Sequence, residues 1–113
     1  MEKIVVIKDV IGTSEAILHT FGMEVATEIK EHLKNGHKVR VDFKGTKNVN
    51  ISFTQYMIHP VYKAFPKEGR ENVRFVNLPN KFAKYELNEA ISLENDPEKA
   101  KRIDKIRNQA LSS

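Results

Sequence analysis

Residues 37–58 read HKVRVDFKGTKNVNISFTQYMI, and the pattern of this stretch changes twice. From Lys38 to Phe43 a charged residue alternates with valine or phenylalanine, which is typical of a strand with one buried and one more polar face. Gly45 and the polar residues after it interrupt the alternation. A second apolar stretch then opens at Ser52 and favours a helix. The stretch therefore predicts a strand, a loop and a helix, in that order.

The residues before this stretch predict another strand and another helix. A β-branched run fills residues 3–8 and predicts a strand that is buried on both faces. A helix follows Gly12, with Thr13 or Ser14 as its N-cap. It ends at Asn35, before a glycine, as helices commonly do. Apolar residues recur in it every four positions: Ile17, Phe21, Val25, Ile29 and Leu33.

The residues after the opening stretch predict a third strand and further helices. The helix that opens near Ser52 carries a stripe made of Ile51, Ile58, Val61, Tyr62 and Phe65. Pro60 must kink or restart this helix, because proline lacks the amide donor. Residues 72–78 predict the third strand. Pro79 starts the next helix, whose apolar residues are Phe82, Tyr85 and Leu87.

A basic helix is predicted at the end of the chain, over residues 97–113. Asn95 and Asp96 supply its cap, and its apolar residues are Ile103, Ile106 and Leu111. These 17 residues hold five lysines and arginines against two acidic residues, so they carry +3 of the net charge of +4.

Strands that alternate with helices predict the α/β class, because parallel strands need crossover connections. We expect one domain over residues 1–113, with a small mixed, largely parallel sheet and three to four helices. Val5, Val41 and Phe75 are expected to be buried in that sheet. The apolar stretch near the N-terminus is too short for a signal peptide or a membrane span, which predicts a cytoplasmic protein that does not contact the membrane.

Signs of catalysis are weak in this sequence. The absence of cysteine excludes disulfides, thiolate zinc sites and cysteine nucleophiles. The five glycines form no phosphate-binding loop, and the four histidines form no i, i+4 pair on one predicted helix. Asp42 is a possible general base, but an acid at the end of a strand more often caps a loop. We expect a protein that is not an enzyme and holds no cofactor or metal.

Three short segments of the chain point to a family. VDFKG at 41–45, VNISF at 49–53 and VRFVNLPNKFAKYEL at 73–87 resemble the bacterial STAS-like family of unknown function, relatives of the anti-sigma-factor antagonists. Residues 39–91 match the layout of that family, and residues 1–38 fit it loosely. In this resemblance Asp42 is the acid at the end of a strand, Gly45 is the loop glycine, and Ser52-Phe53 is the Ser-Phe pair.

One position departs from the pattern of the antagonists. They have an Asp-Ser-Ser-Gly run in this loop, and an ungapped alignment from Asp42 places Ile51 on the serine that is phosphorylated. A shift of one residue places Ser52 there instead.

The resemblance implies a non-catalytic, protein-binding regulatory domain in signalling, with a histidine-kinase-like ATPase as its partner. The expected partner-binding loop consists of Lys47, Asn48, Asn50, Ser52, Thr54 and Gln55, and Ser52 is its possible phosphorylation site. The competing interpretation of Ser52 is an N-cap that contributes about 1 kcal/mol to stability, and Asn50 is suited to the same role.

Two other functions remain open at this point. The basic C-terminal helix suits a nucleic-acid-associated regulator, although its mixed charges and lack of aromatic residues make nucleic acid an unlikely partner. A small-molecule-binding domain would use the strand ends near Asp9 and Asp42.

Overall fold

The computed structural model describes residues 1–96 and residue 98. The helix predicted over residues 97–113 therefore lies, apart from Glu98, outside the described residues, and so does the nucleic-acid role assigned to it. The elements are β1 (Glu2–Val6), α1 (Ile7–Ile11), β2 (Glu15–Ala16), α2 (His19–Lys34), β3 (Lys38–Asp42), β4 (Asn48–Val49), α3 (Ile51–Ala64), α4 (Glu68–Glu71), β5 (Val73–Val76) and α5 (Lys81–Asn95).

The main sheet has three parallel strands in the order β1-β3-β5. Val5, Val41 and Phe75 lie side by side across it. The two short strands β2 and β4 form a second parallel pair, in which Glu15 lies opposite Asn48. The predicted α/β class is thus confirmed, and every pair among the described residues is parallel. The described part of the chain forms five helices, two of them with only four or five residues.

Within residues 1–96 and 98, helices cover one face of the main sheet and leave the other open. Val5, Val39, Val41 and Phe43 are buried under a layer in which α2 packs on α3 and α3 packs on α5. On the opposite face Ile4, Arg40 and Arg74 lie side by side, and Ile4 is 51% exposed. The predicted burial of Val5 and Val41 is confirmed, while Phe75 is partly buried against the core.

The N-terminal third differs from the prediction in two places. β1 is not buried on both faces, and it ends at Val6, where the chain turns into α1. The long helix does not start at Thr13 or Ser14 but at His19, because residues 15–16 pair with β4 instead. The Thr13 hydroxyl accepts a hydrogen bond from the Glu15 amide in a local turn. Ile17 consequently lies outside the helix and is 41% exposed.

The later helices also correct the prediction in detail. α3 continues through Pro60 without restarting. The carbonyl that Pro60 leaves without its helical donor is that of Tyr56, a residue that is 45% exposed. α5 begins at Lys81, because the Asn80 side chain accepts a hydrogen bond from the Ala83 amide. The aromatic side chains expected in its apolar stripe, those of Phe82 and Tyr85, are 61% and 63% exposed.

Glu86 is a buried residue on α5, and the pKa of its carboxyl is raised above 4.5 by desolvation first and by the nearby Glu89 second. The folded protein therefore binds a proton at the Glu86 carboxyl more tightly than the unfolded chain does. The contribution of Glu86 to stability consequently falls as the pH rises above about 4.5.

We expect Glu86→Gln to be more stable than the wild type at pH 7, with the difference shrinking toward pH 4. Thermal unfolding at a series of pH values measures this, and Glu24→Gln on the exposed side of α2 controls for the lost charge. A difference in melting temperature between Glu86→Gln and the wild type that stays constant over that pH range would contradict the raised pKa of Glu86.

Candidate protein-binding surface at the start of α3

The loop after β3 is held by its own hydrogen bonds. Asp42 accepts from the Lys44 amide at 2.8 Å and from the Asn77 side chain at 3.0 Å. The hydrogen bond from Asn77 is the main reason that the pKa of Asp42 is lowered, against an opposing effect of desolvation. Gly45 has a φ of 85°, which favours glycine, and the buried Thr46 closes the turn onto the Phe43 carbonyl. Asp42 thus fixes a turn and bridges β3 to the residue after β5.

The loop then passes along β2 before it enters α3. The Lys47 amide donates to the Ser14 carbonyl at 2.8 Å, and the Asn48 side chain donates to Glu15 at 2.6 Å. The side chains of Lys47 and Asn48 are both exposed. This pairing fixes the chain in an extended form as far as Val49, so the helix cannot begin earlier.

Asn50 is the N-cap of α3, and the expectation that Ser52 is the cap is wrong. The Asn50 side-chain oxygen accepts from the Phe53 amide at 3.0 Å. Its side-chain nitrogen donates to the Ile17 carbonyl at 2.9 Å. The Asn50 side chain therefore both caps the helix and attaches it to the segment before α2. The stabilisation of about 1 kcal/mol expected from a cap is contributed by Asn50 and not by Ser52.

Ser52 is the second residue of α3, and its side chain is exposed. Its hydroxyl makes no hydrogen bond to another of the described residues. The first turn of the helix contains no acidic residue, and its amides point toward this end of the helix. A negative charge at Ser52 is therefore compatible with the fold.

Thr54 does not belong to the expected partner-binding loop. It is fully buried, and its hydroxyl donates to the Ile51 carbonyl at 3.3 Å and to the Glu86 carbonyl at 3.0 Å. Its place is the contact between α3 and α5, where a hydroxyl finds acceptors inside the core. Gln55 is partly buried, one residue further along the helix.

Several exposed side chains lie in the segment before α2 and in the first turns of α2 and α3. Tyr56 lies one turn after Ser52, is 45% exposed, and contacts the His19 ring with 5.2 Å between centroids. Leu18, next to His19, is 49% exposed. We give the name Ser52–Tyr56 surface to five exposed residues of these segments: Ile17, Leu18, His19, Ser52 and Tyr56.

The two helices behind the Ser52–Tyr56 surface approach each other closely at Gly22. A Cβ atom on Gly22 would meet the Phe53 carbonyl oxygen and would lie 3.0 Å from the Met57 amide nitrogen and 3.1 Å from the Tyr56 Cβ. The backbones of α2 and α3 are thus in direct contact. The position of Tyr56 relative to the start of α2 is fixed by this packing.

The sequence pattern identified Ser52 as a surface residue but missed most of its surroundings. Tyr56 lies off the apolar stripe of α3, which is a signal that an aromatic side chain is exposed. The exposure of Ile17 and Leu18 had no such signal, because both residues continue the apolar pattern of α2.

Comparisons of the chain with family models, with curated proteins and with solved structures find no match. Among residues 1–96 and 98, no helix has the length and apolar character needed to cross a bilayer. The same residues contain no group of three histidine, aspartate or glutamate side chains arranged to hold a metal ion.

Proposed function

We propose that this chain is a non-catalytic, protein-binding regulatory domain of the cytoplasm, similar to the STAS-like relatives of anti-sigma-factor antagonists. The observation that carries this proposal is the Ser52–Tyr56 surface, where a serine without a hydrogen-bond partner among residues 1–96 and 98 lies one turn before an exposed tyrosine. Exposed aromatic residues next to aliphatic ones are common in the centres of protein interfaces. The proposed partner is a histidine-kinase-like ATPase.

A phosphate on Ser52 would switch this interface. It would add a charge of roughly −2 at the first turn of α3, where the free amides of the helix favour an anion. The fold would therefore tolerate the modification. A docked partner would not, because closing the interface would remove water from the added charge beside Tyr56.

The hydrogen bonds of the loop define which of its residues are free for a partner. Asn50 is occupied by its cap, Thr54 by the core and Asn48 by its hydrogen bond to Glu15, so Lys47 and Gln55 remain at the border of the surface. We assign them to the polar rim of the interface, where single side chains contribute little to affinity. The centre of the interface is then Tyr56.

We expect Tyr56→Ala to weaken binding of the partner about tenfold or more, because a central aromatic side chain is lost. Affinity capture from the native host identifies the partner, and calorimetric titration then measures the affinity. Ser52→Asp is expected to weaken binding as well, with an unchanged melting temperature.

The matched control is Tyr85→Ala, which removes an equally large exposed aromatic side chain from α5. This variant should bind as the wild type does. Equal affinity of the wild type, Tyr56→Ala and Ser52→Asp for the captured protein would refute the proposed surface.

A further inference from the structure

β1 is an edge strand, and no other strand pairs with its outer edge among residues 1–96 and 98. The Lys38 amide donates to the Met1 carbonyl at 3.1 Å, so the backbone groups of residues 1, 3 and 5 face β3. Those of Glu2, Ile4 and Val6 face away from it. The Val6 carbonyl is used as the first acceptor of α1. The amides of Glu2, Ile4 and Val6 and the carbonyls of Glu2 and Ile4 remain on the open edge.

A shallow groove follows this edge of the sheet. It is lined by Ile4, Val5, Val6, Asp9, Val10 and Glu28. The floor of the groove is strand backbone and aliphatic side chain, and the two carboxylates at its border make it acidic. An extended segment with a cation at the right position would match both features.

We infer that a second copy of this chain occupies the groove, by antiparallel pairing of the two β1 strands about a two-fold axis at Ile4. In this register Ile4 lies opposite its own counterpart, and Glu2 lies opposite Val6. The free amides of Ile4 and Val6 then meet the free carbonyls of Ile4 and Glu2 in the other copy. The exposed Ile4 side chains contact each other on the open face of the joined sheet.

The charges of the groove favour this occupant. The register places Lys3 opposite Val5 of the other copy, and both side chains lie on the face of the sheet that carries α2. Lys3 therefore enters the groove bordered by Glu28 and Asp9. In the described part of the chain neither Lys3 nor Glu28 has an ion-pair partner within 4.0 Å. Two-fold symmetry makes this contact twice, once for the Lys3 of each copy. A peptide without a lysine at the equivalent position would not make it.

This pairing goes beyond the proposed function and does not depend on it. It uses β1 and one side of α2, whereas the Ser52–Tyr56 surface lies at the start of α2 and α3. Variants of one surface leave the other unchanged, so the two inferences fail separately.

Sedimentation velocity of the full chain over concentrations up to about 1 mM, where even weak specific pairs form, measures the dimer. We expect a monomer–dimer equilibrium. Lys3→Glu and Glu28→Lys should each raise the dissociation constant about tenfold, because each brings like charges together. The double variant Lys3→Glu with Glu28→Lys should return to within about threefold of the wild type, because it restores opposite charges.

A second variant tests the backbone contact. Ile4→Pro removes an amide that β3 does not use, and proline is tolerated on edge strands, so we expect a folded monomer. Ile4→Val keeps the amide and should still form the dimer. If Ile4→Pro fails to fold, the variants of Lys3 and Glu28 alone test the inferred dimer. A wild-type protein that stays monomeric at about 1 mM overturns the inference. So does a dimer whose dissociation constant is unchanged by the single substitutions, or is not restored by the double substitution.

Discussion

Val41→Asp is expected to unfold the domain. Val41 is fully buried in the central strand of the sheet, between Val5 and Phe75. A carboxylate at this position would be surrounded by apolar side chains without a partner. The expected loss is about 3–5 kcal/mol of unfolding free energy, which is a large part of the stability of a small domain. Circular dichroism with urea titration measures it.

The control for this experiment is Ile4→Asp at high dilution. Ile4 belongs to the neighbouring strand but lies on the open face, where water solvates a carboxylate. We expect its unfolding free energy to change by less than about 1 kcal/mol. A Val41→Asp variant as stable as Ile4→Asp would mean that the covered face of the sheet has been assigned to the wrong side chains.

Gly22→Ala is expected to lower the unfolding free energy by about 2–3 kcal/mol, although alanine is the better helix former by about 1 kcal/mol. The added methyl group would collide with the Phe53 carbonyl and the Met57 amide, which are backbone atoms of α3. Neither atom moves unless the two helices separate. Chemical denaturation measures the loss of stability.

Gly69→Ala provides the matched comparison for Gly22→Ala. The atom nearest to a Cβ on Gly69 is Tyr62 Cδ1 at 3.1 Å, followed by Val61 Cγ1 and the Val61 carbonyl oxygen, both at 3.3 Å, so no backbone atom is as close as the Phe53 carbonyl is to Gly22. We therefore expect a smaller loss of stability. If both substitutions cost the same, the close approach of α2 and α3 is not what makes Gly22 sensitive.

The main elements of the fold follow from local patterns in the sequence. The alternation from Lys38 to Phe43 correctly predicts the central strand, because that strand has one buried and one more polar face. The apolar stripe of α3 is also predicted from a local pattern, because this helix buries one of its faces. Ile4 was misjudged, because a run of β-branched residues does not show whether a second layer covers the strand.

The candidate surface was predictable only in part, because tertiary contacts decide its details. Asn50 and Ser52 are both good N-caps, and only the pairing of β4 with β2 determines that α3 begins after Asn50. The burial of Thr54 depends on a carbonyl of α5 that is 32 residues away. No local pattern in the sequence carries either contact.

The order of the strands also determines how the chain reaches its native state. Each pairing in the main sheet joins residues roughly 35 positions apart, so a long segment must close before the first hydrogen bonds between strands form. Folding dominated by such distant pairings is slow compared with that of helical bundles. During synthesis, β3 has only one of its two neighbours until β5 has left the ribosome. The newly made chain thus presents a strand with one apolar face and an unpaired edge, which favours aggregation until β5 is complete.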